Sequence, residues 1–307
     1  MIKETVSIGD KGAMLTCYLH EFKQGDVKAL PAILIIPGGA YFFTSEREAD
    51  PVALTFLNAG YNAYVLEYAT SVSKLQSEGQ SFDEAMMMVH DYIEKSDTLV
   101  SAFPNPVVEA ALAMQYIRKH HVAHHSDPDR VFTVGFSAGG NLAGLLGAYW
   151  NAPWLNDLIG STPEKIKPNA QILAYGVLDP HALIYLGETP EEQEKGHGLF
   201  LKAMSNTSSP SVEVLDALSP LVQAHPLVPR SFIWHTKEDS LVPVKHSMNY
   251  AVRLNELGVD FELHIYEKGA HGLSVANAMV NTENPHVASW IPLVLSWLDL
   301  DKKREDM

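Results

Sequence analysis

The sequence predicts an α/β architecture: a mostly parallel central sheet with helices on both faces. Two observations predict it. Short all-apolar runs such as residues 32–36 recur along the chain, the pattern of strands buried on both faces of a sheet. Segments whose apolar residues fall at helical spacing separate these runs, and strands joined by helices must run parallel and be covered on both sides.

The elements follow in order. Residues 4–8 and 13–19 flank the turn signal Gly9-Asp10-Lys11-Gly12 and predict an opening hairpin. The run 32–36 ends at Pro37-Gly38-Gly39, a helix is expected over 50–58, and a strand over 61–67. The stretch 69–104 carries one amphipathic candidate helix, 83–95, between polar linkers. Helical spacing returns over 106–119. A regular alternation follows: strand 131–134, helix 138–149, strand 170–175, an irregular region rich in Pro and Ser, strand 231–235, helix 244–256, strand 261–266 and a last helix over 285–298. No repeat or linker interrupts the chain, so one domain over 1–307 is expected.

Composition limits the function classes. The chain has 307 residues, 46% of them hydrophobic, and a formal net charge of −15. Nucleic acid and anionic membranes attract a basic footprint, so neither is an expected partner. Cys17 is the only cysteine; an intrachain disulfide is excluded, and its place in a strand argues for a packed thiol. No run approaches a membrane span. The opening MIKETVSIGDKG lacks the apolar stretch of a signal peptide, so a cytoplasmic location is expected.

The sharpest chemical signal is Gly135-Phe136-Ser137-Ala138-Gly139-Gly140. An apolar strand runs directly into a helix there, and glycines on either side of Ser137 permit the tight turn that exposes its hydroxyl at the helix N-terminus. A serine hydroxyl needs a base. Of fourteen histidines, His271 lies in the loop after the last strand, at the same sheet edge as Ser137. His264 falls inside that strand; His120, His121, His124 and His125 crowd one helix end, and His235 ends a strand in a supporting position. Asp239, in the loop after the penultimate strand, is the best-placed orienting carboxylate, with Glu238 and Asp179 as rivals. The order Ser…Asp…His is that of the hydrolase built on such a sheet. Backbone N–H groups at Gly38, Gly39 and Ala138 are candidates for an oxyanion hole. Tyr41, with Phe42 and Phe43, follows that turn and is a candidate either for narrowing a substrate pocket or for packing in the core. Neither a G-x-G-x-x-G nor a Walker pattern is present.

At these residues the chain resembles the α/β-hydrolase superfamily, and within it the bacterial esterases similar to acetyl xylan esterases and hormone-sensitive lipases. The likeness rests on PGGAY at 37–41, GFSAGGNLAG at 135–144, HTKEDSLVPV through GAHGLS at 235–274, and Asp127-Pro128-Asp129-Arg130-Val131. The lipase-like branch has His-Gly-Gly-Gly where this chain has Pro37-Gly38-Gly39-Ala40, which favours the acetyl-esterase-like branch. The resemblance implies a serine esterase acting on short acyl groups, acetyl first, of a sugar or another small alcohol. The expected partner is thus a small-molecule ester, with no metal or organic cofactor. A peptidase or amidase with the same triad and a ligand-binding hydrolase-fold protein without catalysis are the alternatives. The segment 71–103 is longer than its family counterpart; as an insertion it is expected to act as a lid over the acyl pocket or as a subunit contact, which would make the chain a homo-oligomer.

Overall fold

Eight strands form one sheet in the order β1-β2-β4-β3-β5-β6-β7-β8 in the computed structural model, which describes residues 1–22 and 29–300. Strands β1 (Ile2–Ile8) and β2 (Ala13–Leu19) make the opening hairpin, and β2 pairs antiparallel with β4 (Asn62–Glu67). The other pairs are parallel, through β3 (Leu30–Ile36), β5 (Ser126–Phe136), β6 (Gln171–Ala174), β7 (Ser231–Thr236) and β8 (Phe261–Tyr266). The expected mostly parallel α/β sheet is therefore present.

Its strands separate two cores because successive side chains leave a strand on opposite faces. In β3, Ile33 and Ile35 join Phe56, Trp234 and Trp290 on one side, while Ala32, Leu34 and Ile36 join Tyr64, Met114 and Leu142 on the other. The first face is covered by α1 (Asp50–Asn58) and the C-terminal helix Trp290–Leu298. The second face lies under α4 (Asn105–Lys119), α5 (Ala138–Tyr149) and the helix Lys245–Glu256. Trp234 stacks on Trp290 with ring centroids 5.3 Å apart, which ties β7 to the C-terminal helix.

Between β4 and α4, the segment 71–103 holds α2 (Ser71–Ser77) and α3 (Phe82–Lys95). Both begin with a capping box, Thr70 with Ser73 and Ser81 with Glu84, which satisfies backbone donors that the first turn leaves unpaired. Ala85, Val89 and Ile93 form the buried stripe of α3, four residues apart as an amphipathic helix requires.

Three departures from the sequence reading have local causes. The region read as irregular contains the helix Pro190–Ser205, started by a Thr189/Glu192 capping box and Pro190; Gly196 and Gly198 weaken its helical signal. The last helix breaks at Ser289 into Pro285–Ala288 and Trp290–Leu298. Strand β5 begins at Ser126, earlier than its apolar run, because Asp127-Pro128-Asp129-Arg130 continues the extended backbone. Cys17 is buried in β2, and burial pushes its thiol up to about 12. Among the described residues no helix is long and apolar enough to cross a membrane.

Candidate active site

Parallel strands deliver their following loops to one sheet edge, and the three residues singled out for acyl chemistry arrive there from β5, β7 and β8. Ser137 sits at φ 52°, ψ −117° between β5 and α5, a backbone state that costs on the order of 1–3 kcal/mol and persists only where surroundings enforce it. The enforcement is steric and polar. A Cβ on Gly139 would lie 2.0 Å from the Ile36 carbonyl, so only glycine lets α5 start this close to β3. The Ser137 N–H donates to Ala174 O at 3.0 Å, and its carbonyl accepts from Val177 N at 3.1 Å.

Ser137 Oγ lies 2.9 Å from His271 Nε2, and His271 Nδ1 lies 2.7 Å from Asp239 Oδ2. A carboxylate only accepts, so Asp239 fixes the proton on Nδ1 and leaves Nε2 free to accept from the serine. Asp239 Oδ1 accepts from the N–H groups of Leu241 and Val242, both at 2.9 Å. His235 Nε2 donates to Val242 O at 2.9 Å and approaches Asp239 Oδ2 at 3.2 Å, while its Nδ1 accepts from Ser247 Oγ. Burial pushes the Asp239 carboxyl up, but the hydrogen bonds from His235 and His271 outweigh it and hold the group well below the usual carboxylate range.

The rivals lie elsewhere. Glu238 is exposed and pairs with Lys268 at 2.6 Å. Asp179 accepts from His181 N and Ser219 Oγ. His264 bonds Glu262 within β8, and His120, His121, His124 and His125 follow the end of α4.

The turn after β3 corrects part of the sequence reading. The Gly38 N–H donates to Glu48 Oε2 at 2.7 Å; that donor is committed and is not available to an oxyanion. Gly39, at φ 122° with Phe43 O only 2.1 Å from where a Cβ would stand, lines the cleft instead, as does Ala40. Ala138 is the first residue of α5, and its N–H has no acceptor within the helix. Of its two candidate places, pocket wall and core, Tyr41 takes the core. It is 3% exposed, and its hydroxyl donates to Asn141 Oδ1 at 2.7 Å in the core. The positive φ of Ala40 and Tyr41 turns the chain so that Phe42 and Phe43 face the cleft and Tyr41 does not.

Ser137 and His271 line a cleft of about 510 Å³. Phe42 and Phe43 form part of its wall, Met86 and Val89 of α3 another part, and Leu186 and Leu241 a third. The contribution of Leu186 escaped the sequence reading because it comes from a segment without catalytic spacing. Glu48 and Tyr175 escaped it too. Glu48 is buried and accepts both the Gly38 N–H and the Tyr175 hydroxyl.

With this geometry in hand, comparison with known proteins places the chain. The BD-FAE family model matches residues 85–254, more than half of the sequence, taking in Ser137 and Asp239. The chain belongs to the BD-FAE family. Relatives of this BD-FAE chain include endo-1,4-beta-xylanase B of Butyrivibrio fibrisolvens, 28% identical over 86% of this chain and 35% of that protein. Another is the acetylxylan esterase of Xylanibacter ruminicola, 23% identical over 88% of this chain and 46% of that protein. The chain thus spans between a third and a half of the curated relatives it matches. A crystal structure of an acetyl ester-xyloside bifunctional hydrolase from Caldicellulosiruptor lactoaceticus superposes with a TM-score of 0.68 at 26% identity, covering 94% of this chain and 87% of that one. The resemblance read from the sequence, to α/β-hydrolase esterases of the acetyl xylan esterase kind, therefore holds.

Proposed function

We propose that this carboxylic ester hydrolase cleaves short-chain acyl esters, acetyl first, of a sugar or another small alcohol through an acyl-enzyme on Ser137. The observation that carries the reading is the hydrogen-bonded path from Ser137 Oγ to His271 Nε2 and from His271 Nδ1 to Asp239, opening on the cleft. The acetylxylan esterase and acetyl ester-xyloside hydrolase among the relatives support the acyl group and the sugar.

In this reading His271 accepts the Ser137 proton as Oγ attacks the ester carbonyl, and Asp239 stabilises the imidazolium. N–H groups of Gly39 and Ala138, with Ala40 beside them, receive the oxyanion. His271 then protonates the departing alcohol, and water repeats the sequence on the acyl-enzyme. No step calls for a metal or an organic cofactor. We take the segment 71–103 as a cap within one domain, because α3 supplies one wall of the cleft.

The test is labelling with a fluorophosphonate alongside turnover of p-nitrophenyl acetate. Wild type should be labelled and active, and Ser137→Ala should be neither while remaining folded. Retention of about a tenth of the turnover in pure Ser137→Ala would refute the assignment, since removing a nucleophile of this kind costs several orders of magnitude.

A further inference from the structure

The turn that precedes α1 carries a buried carboxylate that the proposed chemistry does not use. Glu48 is 4% exposed, and both of its oxygens are paired: Oε2 with the Gly38 N–H at 2.7 Å, Oε1 with the Tyr175 hydroxyl at 2.7 Å. A carboxylate out of water requires such pairing, and burial still pushes its pKa above the ordinary value despite those bonds. Its partners lie on the two halves of the site. Gly38 opens the oxyanion turn. Tyr175 follows β6, sets its ring 5.0 Å from that of His271, edge to face, and accepts from Ser274 N at 3.0 Å, three residues past His271.

The same turn grips both halves by other bonds. Ser274 Oγ donates to Arg47 O at 2.6 Å, and the Arg47 guanidinium bonds Thr282 Oγ1 at 2.9 Å. The Gly38 carbonyl accepts from Ser45 N at 3.0 Å. Within one trans peptide the carbonyl and the next N–H point in opposite directions. The Ser45 bond therefore sets where the Gly39 N–H points, and Glu48 fixes the peptide before it.

We propose that Glu48 is a positioning residue for ester hydrolysis: it anchors the oxyanion turn through Gly38 and couples that turn, through Tyr175 and Ser274, to the loop bearing His271. The inference rests on the serine-esterase reading above. Glu48 touches no reacting atom in it; it acts through the donors it orients. An anchor of this kind affects the transition state more than the bound ester, because the oxyanion forms only as the carbonyl is attacked.

The experiment compares wild type with Glu48→Ala, Glu48→Gln and Tyr175→Phe, using p-nitrophenyl acetate kinetics and the affinity of a trifluoromethyl ketone that forms a tetrahedral adduct with the serine. Glu48→Ala should lower kcat on the order of 10²-fold, comparable to loss of an oxyanion donor, with KM within about threefold of wild type. Adduct affinity should fall in step with kcat/KM. Glu48→Gln keeps an acceptor for Gly38 and should recover most of the rate, leaving a deficit of less than about tenfold, and Tyr175→Phe should show a deficit of similar size. Full kcat in Glu48→Gln and Tyr175→Phe together, a loss confined to KM, or unchanged adduct affinity would overturn the proposal. The first of these decides the matter even if Glu48→Ala does not fold. Ser137→Ala separates the two readings: a dead Ser137→Ala beside fully active Glu48 variants removes only the positioning role, whereas an active Ser137→Ala removes the parent reading.

Discussion

At the scale of single residues, Asp239 is the group whose surroundings are most specific to a charge. It receives His271, His235 and two backbone N–H groups. Asp239→Asn should lower turnover on the order of 10⁴-fold, because an amide at that position presents the wrong tautomer partner to His271. Glu238→Gln, which removes only a surface pair with Lys268, should leave turnover nearly unchanged; reversed effects in a kinetic comparison would transfer the orienting role to Glu238. The depressed pKa of Asp239 also fixes a sign. Its unfolded carboxyl titrates near pH 4, so its stabilising contribution is complete above that pH and disappears as pH falls through the lower folded value. Denaturation midpoints of wild type and Asp239→Asn should therefore differ most at neutral pH and converge below about pH 4. Ser137, His271 and Asp239 were legible in the sequence because each follows a strand of recognisable apolar character. The direction of Tyr41 and the engagement of Gly38 were not, since both depend on positive-φ backbone in a short turn and on a carboxylate ten residues further along.

At the scale of elements, α3 supplies one wall of the cleft. Met86 and Val89 line the cleft together with Phe42 and Leu241. Wild type should cleave acetyl and propionyl esters much faster than octanoyl ones, and Met86→Ala combined with Val89→Ala should shift the preference toward longer acyl groups. A double variant with an unchanged rate profile over an ester series would assign α3 a purely structural role. Beneath this segment, Glu109 of α4 accepts the Ala69 N–H at 2.8 Å, while its Oε1 is buried without a hydrogen-bond partner among the described residues. Burial pushes its carboxyl up to about 8. An acid whose folded pKa is raised favours unfolding progressively as pH climbs from its unfolded value, near 4.3, to the folded one. Glu109→Gln should match wild type in stability near pH 4 and exceed it at pH 8, as read from guanidinium midpoints; a constant difference across that range would mean that folding does not raise the Glu109 pKa. The α3 helix was legible from its apolar stripe. The helix Pro190–Ser205 carries a clear start at Thr189-Pro190-Glu191-Glu192, yet its two glycines and the proline-rich surroundings obscured it, and with it the neighbouring wall residue Leu186.

At the scale of the whole molecule, the alternation of short apolar strands with helices made the sheet legible, because each central strand must feed two separate cores. Sheet order was not legible: nothing local in 30–36 says that β3 lies between β4 and β5. That arrangement sets the Gly39 turn directly beside Ser137, and so the site depends on contacts far apart in sequence. Charge acts over the same range. A formal charge of −15 spread over the surface repels anionic solutes across distances of about 10 Å at 0.1 M salt, and added electrolyte screens that repulsion. Among the cleft-lining residues Arg47 carries the exposed charge, and its guanidinium is already bonded to Thr282, so the global field should prevail at the entrance. For an acetate ester whose alcohol bears a carboxylate, kcat/KM should rise several-fold between about 10 mM and 300 mM sodium chloride. For a neutral ester of the same size it should stay flat. Parallel salt titrations of the two substrates check this, and a falling rate for the anionic ester would show instead that Arg47 draws anions into the cleft against the net charge.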